Sequence, residues 1–255
     1  MCKKVTAILL LMISVIFVGC SNTVKDTREI NISVAASLLE PMTKISEIYE
    51  KDNDVKININ SGGSGTLKKQ ISEGADIGLF FSANEKFVDD LISEGLVVKD
   101  KKLSPITNSL VIIKYNDAKE EINNIEELVN LQGNIAIGEV TTVPAGEYTK
   151  ETLTSLGIWD ELEDNIVYGK DVTAVRTYVE RGEVEYGFIY KSDAISLKSS
   201  SIMADIDDSL HSEINYALAP IEGYKYSEDC NEIIELILSK EGKEIFEEYG
   251  FRVRE

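Results

Sequence analysis

The sequence holds one histidine, one tryptophan, four prolines and three cysteines in 255 residues, and only 26 basic side chains against 45 acidic ones. Each scarcity excludes something. A seryl or cysteinyl nucleophile needs a base beside it, and the single imidazole, His211, stands in a serine-rich stretch away from every glycine-rich turn. Neither G-x-S-x-G nor S-x-x-K occurs, so a hydrolase is set aside and the chain is read as a non-enzyme. A formal charge of −19 excludes a general surface for nucleic acid or anionic lipid. One long apolar run exists, Val5 to Val18, and its 14 residues are too few to cross a bilayer comfortably.

That run follows the basic pair Lys3-Lys4 and ends in Phe17-Val-Gly-Cys20. Basic start, apolar middle and small residues before a cysteine resemble a bacterial lipoprotein signal. Such a signal is cut before the cysteine, which then takes the lipid; Phe17 stands where the pattern prefers Leu. Residues 1–19 are accordingly expected to leave, with Cys20 acylated and residues 20–29 a polar tether. The remainder has 24 basic and 45 acidic side chains, a formal −21. Cys2 leaves with the signal, so Cys230 stands alone and no internal disulfide is available. It lies in an amphipathic pattern and reads as a small packing residue.

The most informative stretch is Asn60-Ser-Gly-Gly-Ser-Gly-Thr-Leu67. The alternating Val55–Asn60 before it reads as a strand, and Thr66–Glu73 after it as a helix. Glycines let the backbone approach a ligand closely, and the first amides of a helix lack intrahelical partners and carry its positive end. Together they make an anion seat. Two similar junctions flank it. Ile30–Ala35 alternates as a strand and leads through Ser37, a cap candidate with Glu40 three residues on, into a helix bearing Leu38, Met42, Ile45 and Tyr49. Ile77–Phe81 is a continuous apolar strand, as in a parallel sheet buried on both faces, and a helix begins at Ser82-Ala-Asn-Glu85. In an open parallel sheet all three turns fall at the carboxyl edge, where ligands bind.

Leu103–Asn108 reads as a break and Ser109–Lys114 as a strand beyond it, a crossing between two lobes. Short strands at Ile135–Gly138, Ile166–Tyr168 and Tyr186–Tyr190 alternate with helices after Val143 and Asp171. The serine-rich stretch 196–212 reads as irregular. Ile214–Ala219 carries the chain back, and two helices, about 227–238 and 240–249, finish it.

Nine motifs then stand in one order: Ala35-Ala-Ser-Leu38, Ser61-Gly-Gly-Ser-Gly-Thr-Leu67, Leu79-Phe-Phe-Ser-Ala83, Asn108-Ser-Leu-Val111, Val143-Pro-Ala-Gly146, Leu156-Gly-Ile-Trp159, Val179-Glu-Arg-Gly182, Gly187-Phe-Ile-Tyr-Lys-Ser-Asp193 and Tyr249-Gly-Phe251. The set, across roughly residues 30–251, resembles the molybdate-binding proteins of ABC importers. The resemblance implies an α/β, two-lobed periplasmic-binding-protein fold of type II, each lobe a mixed sheet flanked by helices, with ligand in the cleft between them. Residues 30–107 with 214–255 would form one lobe and 108–213 the other.

The resemblance also implies the ligand shell: the hydroxyls of Ser37, Ser64 and Tyr190 and the amides of Ala83, Ala145 and Val172 around molybdate or tungstate. Molybdenum would enter only as the oxyanion, without direct protein ligands, and no cofactor is implied. The expected partners are the transmembrane subunits of an ABC permease and, through the lipid on Cys20, the outer face of the cytoplasmic membrane, with the protein itself a monomer. Two positions depart from the family pattern. Ile77-Gly78 replaces Ala-Asp before the third strand, with Asp76 the nearest acid, and Thr173 follows Val172. Neither touches the ligand in the family.

The chemistry is consistent on its own terms. Oriented amides and hydroxyls can replace an oxyanion's water without a counter-cation. A receptor of the same fold for sulfate or phosphate is the nearest alternative, since cavity size is not written in the sequence. A metal receptor would want clustered carboxylates, histidines or paired tyrosines, which the candidate turns lack. Trp159 reads as packing.

Overall fold

The computed structural model describes residues 27–254. The signal-like segment, Cys20 and most of the tether lie outside the described residues, and no helix within them is long and apolar enough to cross a membrane.

Eleven strands form two mixed sheets among the described residues. The first starts with β1 (Arg28–Ala35), β2 (Val55–Gly62) and β3 (Leu79–Ser82). β1 runs parallel to both neighbours, pairing Ile32 with Ile59 and with Leu79. Each of these strands ends at the start of a helix: α1 (Leu39–Asp52, after a 3-10 turn at Ala36–Leu38), α2 (Ser64–Ser72) and α3 (Glu85–Ser93). The three expected junctions therefore share the carboxyl edge of one sheet, because parallel strands with helical crossovers must all turn on the same side. β3 alternates as a doubly covered strand does. Leu79 and Phe81 face the main core, and Phe80 faces a second cluster with Leu67, Phe87 and Leu91 under α2 and α3.

The same sheet is completed by β4 (Leu103–Thr107), β10 (Asn215–Pro220) and β11 (Arg252–Val253), in the order β11-β4-β10-β3-β1-β2. β4 occupies the stretch read as a break. Its Pro105 lacks an N–H, but β10 pairs on both sides of it and β11 pairs with Ile106 and Thr107 after it, and tertiary pairing overrides the local signal.

The second sheet has the order β7-β6-β8-β5-β9: β5 (Leu110–Tyr115), β6 (Ile135–Gly138), β7 (Ile166–Gly169), β8 (Tyr186–Tyr190) and β9 (Ser200–Asp205). β9 was not visible in the serine-rich stretch, whose strand character comes from antiparallel pairing with β5. Helices α4 (Pro144–Ser155), α5 (Trp159–Leu162) and α6 (Val172–Glu180) accompany this sheet. The chain passes between sheets twice, from Thr107 to Leu110 and from Asp205 to Asn215.

The last helices, α7 (Ser227–Leu238) and α8 (Lys240–Glu248), return to α1. The Tyr49 hydroxyl donates to Glu232 at 2.7 Å with Asp229 within reach at 3.2 Å, and Arg28 pairs with Asp229 at 2.9 Å. Cys230 is fully buried and its thiol is pushed up to about 12 by burial, so it packs and does not react. It also explains one departure from the family pattern. A Cβ at Gly78 would lie 2.4 Å from the Tyr224 ring and 2.6 Å from Cys230 Sγ, so these two side chains fill the space any larger residue would need.

Candidate functional site

The two sheets face each other at the glycine loop. Gly65 donates its amide to the Thr142 carbonyl at 2.9 Å across that boundary, and a Cβ at Gly65 would stand 2.8 Å from Thr142 Cα. Glycine is required here because two backbones meet where a side chain would be. Asn84 at the cap of α3 reaches Glu147 on α4 at 3.1 Å, and Lys86 lies 3.6 Å from the same carboxylate.

Beneath this contact lies a small cavity of about 10 Å³, walled by Ser37, Ser64, Ala83, Val143, Val172 and Tyr190. Five of the six expected shell residues thus meet at one place. The sixth, Ala145, is fully buried one residue beyond Pro144, which also lines the cavity. Ser37, Ser64 and Ala83 come from junctions of the first sheet, and Ala145, Val172 and Tyr190 from elements of the second.

The polar groups here are held in different ways. Ser64 is the first residue of α2, fully buried, and its Oγ accepts from the Ala83 amide at 3.1 Å. Ala145 and Val172 stand in the first turns of α4 and α6, whose amides are the unpaired ones of a helix start. Asp171 caps α6 by accepting from Ala174 at 2.8 Å. Tyr190 closes β8 with its hydroxyl buried and without a hydrogen-bond partner. Burial raises that hydroxyl well above its ordinary range, so it stays protonated and has a proton free for an acceptor in the cavity.

Ser37 behaves differently from its expected role as a helix cap. It lies inside the 3-10 turn, and α1 starts after Leu38 without a side-chain cap. Its Oγ instead meets the Tyr216 hydroxyl at 2.8 Å. A capping box with Glu40 is therefore absent, because the 3-10 turn moves the helix start one residue along. Three participants escaped the sequence reading. Tyr216, in β10, carries no local signal; Asn108 and Asp193 belong to quoted motifs but had been given no role.

No lysine or arginine lines the small cavity. A larger one of about 250 Å³ opens beside it, where Glu40, Asp193 and Glu248 outnumber the one guanidinium, Arg176. Its acidic lining opposes an anion, so volume is not the guide here. The small cavity has the donors. It holds about one water-sized sphere, less than a tetrahedral oxyanion, whose entry requires the facing turns to part and Ser64 and Ala83 to exchange each other for ligand oxygens.

A family profile of bacterial extracellular solute-binding proteins matches residues 30–252. The chain belongs to that family. Among its relatives is a protein of Bacillus subtilis, provisionally named ABC transporter substrate-binding lipoprotein YvgL, 37% identical over 91% of this chain and 92% of that one. The molybdate-binding protein ModA of Escherichia coli is 29% identical over 93% and 94%. A solved substrate-binding domain, provisionally assigned to a molybdenum ABC transporter of Clostridium difficile, is 38% identical with a TM-score of 0.68, covering 89% of this chain and 99% of its own. As a solute-binding protein with two facing mixed sheets, the chain has the periplasmic-binding-protein architecture its motifs implied.

Proposed function

We propose that this solute-binding protein captures molybdate or tungstate outside the cytoplasmic membrane and hands it to an ABC permease. The observation that carries the reading is the convergence of neutral donors from both sheets on one small cavity, with the buried Tyr190 hydroxyl lacking any protein partner. Under this reading Ser37, Ser64 and Ala83 belong to one lobe, residues 30–107 with 214–255, and Ala145, Val172 and Tyr190 to the other, residues 108–213. Closing the lobes completes the shell. Neutral donors would account for anion binding by a protein of formal charge −19, or −21 without residues 1–19, since surface charge is screened within about 8–10 Å at ordinary salt. The names of the relatives favour molybdenum over other tetrahedral anions.

A thermal-shift panel tests the ligand. At a hundredfold excess over Kd, molybdate and tungstate should each add about 2.7 kcal/mol, a rise of roughly 5–10 °C for a chain of this size. Sulfate and phosphate should add little. Equal shifts with sulfate would replace the oxyanion named here, and no shift with any of the four would remove the oxyanion reading.

The anchor rests on Lys3-Lys4, the apolar run and Phe17-Val-Gly-Cys20, with a lipoprotein among the relatives as support. Expressed in a bacterium, the protein should incorporate a fatty-acid analogue and sediment with membranes, and Cys20→Ser should do neither. Continued labelling of that variant would put the lipid elsewhere.

A further inference from the structure

Ser37 does not stand alone behind the cavity. Tyr216 is fully buried, and its oxygen lies 2.8 Å from Ser37 Oγ and 3.2 Å from Asn108 Nδ2. Asn108 sits in the link between β4 and β5, where the chain first passes from one sheet to the other. Its amide has one orientation only. Oδ1 accepts from the Ser109 N–H at 2.9 Å, which turns the NH₂ end toward Tyr216 and, at 2.8 Å, toward Ser192 Oγ.

That orientation fixes the direction of one bond, and the need to place the buried phenol proton points the other. An amide NH₂ has donors and no acceptor, so the Tyr216 oxygen accepts from Asn108. The phenol then has a single proton left to give, and Ser37 Oγ is the partner within reach. Burial raises the Tyr216 hydroxyl well above its ordinary range, so the proton is present to be given. A hydroxyl offers a proton or a lone pair with equal ease when free. Ser37, having accepted from Tyr216, has its own proton to direct into the cavity. Bonds aligned head to tail in a buried chain also strengthen one another.

We propose that Asn108 and Tyr216 are positioning residues that set the polarity of Ser37, so that its proton is left free to be donated to an oxyanion. The inference rests on the reading of the cavity as the oxyanion site. It assigns a ligand-directed task to two residues that touch no ligand, and it places the start of the chain at the crossing between the sheets. Ser192, the other partner of Asn108, follows Tyr190 by two residues, so the same amide borders elements that supply donors from both sides of the cavity.

A double-mutant cycle tests it, with wild type, Ser37→Ala, Tyr216→Phe and the double variant titrated with molybdate by calorimetry at pH 8. Tyr216→Phe retains the ring and with it the edge contacts to Phe81, Tyr190 and Phe251, and unfolding without ligand is recorded in parallel to register any loss of fold. Ser37→Ala should weaken binding by about tenfold or more, as for a hydrogen bond to a charged group. Tyr216→Phe should weaken it by about fivefold in wild type and by less than about twofold once Ser37 is alanine, because nothing remains to be oriented. A purely structural contribution from Tyr216 would appear equally in both backgrounds, and that result overturns the proposal, as does an unchanged affinity for Tyr216→Phe alone. Failure of the site itself is told apart by the other arms: wild type would then ignore molybdate, or Ser37→Ala would bind it like wild type.

Discussion

Ser64→Asp should abolish oxyanion binding, at least about a thousandfold, while Ser64→Ala should lose about 10- to 100-fold. The alanine figure is the worth of one hydrogen bond to a charged acceptor. The aspartate figure comes from charge. Ser64 is fully buried and its Oγ lies 3.1 Å from the Ala83 amide, so a carboxylate there would occupy the same donors as the ligand. Like unit charges about 4 Å apart repel by about 4 kcal/mol at an effective dielectric of 20, about a thousandfold in affinity, and a dianion doubles the charge. No cation lines the cavity to offset it. The positive end of α2 favours a carboxylate at its first residue, while burial without a cation opposes it, so ligand-free stability is measured in parallel. Thermal unfolding with and without molybdate, beside direct titration, reads both effects. A Ser64→Asp protein still stabilised by molybdate would mean that Ser64 lies away from the ligand.

Between pH 4 and pH 8 the wild type should lose stability relative to Asp193→Asn. Asp193 is buried at the joint between the sheets, and its Oδ2 has no hydrogen-bond partner. Burial pushes the carboxyl up to about 7; Arg176 opposes the rise, while Glu40 and Asp171 add to it. Arg176 spends its hydrogen bonds on the Asp193 carbonyl at 3.2 Å and Ser196 at 2.8 Å, so the carboxylate itself stays unpaired by it.

The sign follows from proton counting. An unfolded aspartate titrates near about 3.9, so between there and about 7 the folded chain holds a proton that the unfolded chain has released. Stability from this group is full below the lower value and is lost as pH rises through the higher one. Three units correspond to at most about 4 kcal/mol. Asparagine keeps the shape and cannot ionise, so the difference between the two proteins isolates this group from the many surface carboxylates. Parallel pH profiles would mean that Asp193 ionises in the fold as freely as outside it.

Both results turn on groups whose behaviour a sequence reading reaches unequally. The place of Ser64 was legible because a strand, a Gly-rich loop and a helix start are all local patterns, and a free helix end favours an anion. Asp193 was not, since desolvation depends on what covers a side chain. The helices other than α5 and the strands β1, β2, β3, β5, β6, β7, β8 and β10 were legible for the same local reason, as apolar runs, alternation or 3.6-residue spacing survive in the residues themselves. β4 and β9 were not, because one contains a proline and the other is serine-rich, and partner strands make them strands. Ser37 shows the limit most plainly. Its spacing to Glu40 satisfies a capping box, yet a 3-10 turn displaces the helix and Tyr216, 179 residues away in sequence, takes the hydroxyl.

The sequence by itself determined the α/β alternation, the three strand-to-helix junctions at one sheet edge and, through nine ordered motifs, the family. These properties reside in short segments, where side-chain period and backbone preference act over a few residues. Only the tertiary structure decided that donors from two sheets share one cavity, that Tyr190 has no protein acceptor, and that Asn108 and Tyr216 stand behind Ser37. Such facts concern contacts between residues a hundred or more positions apart. Hydrogen-bond direction and desolvation are set by whichever groups packing brings together, and no local pattern encodes that choice.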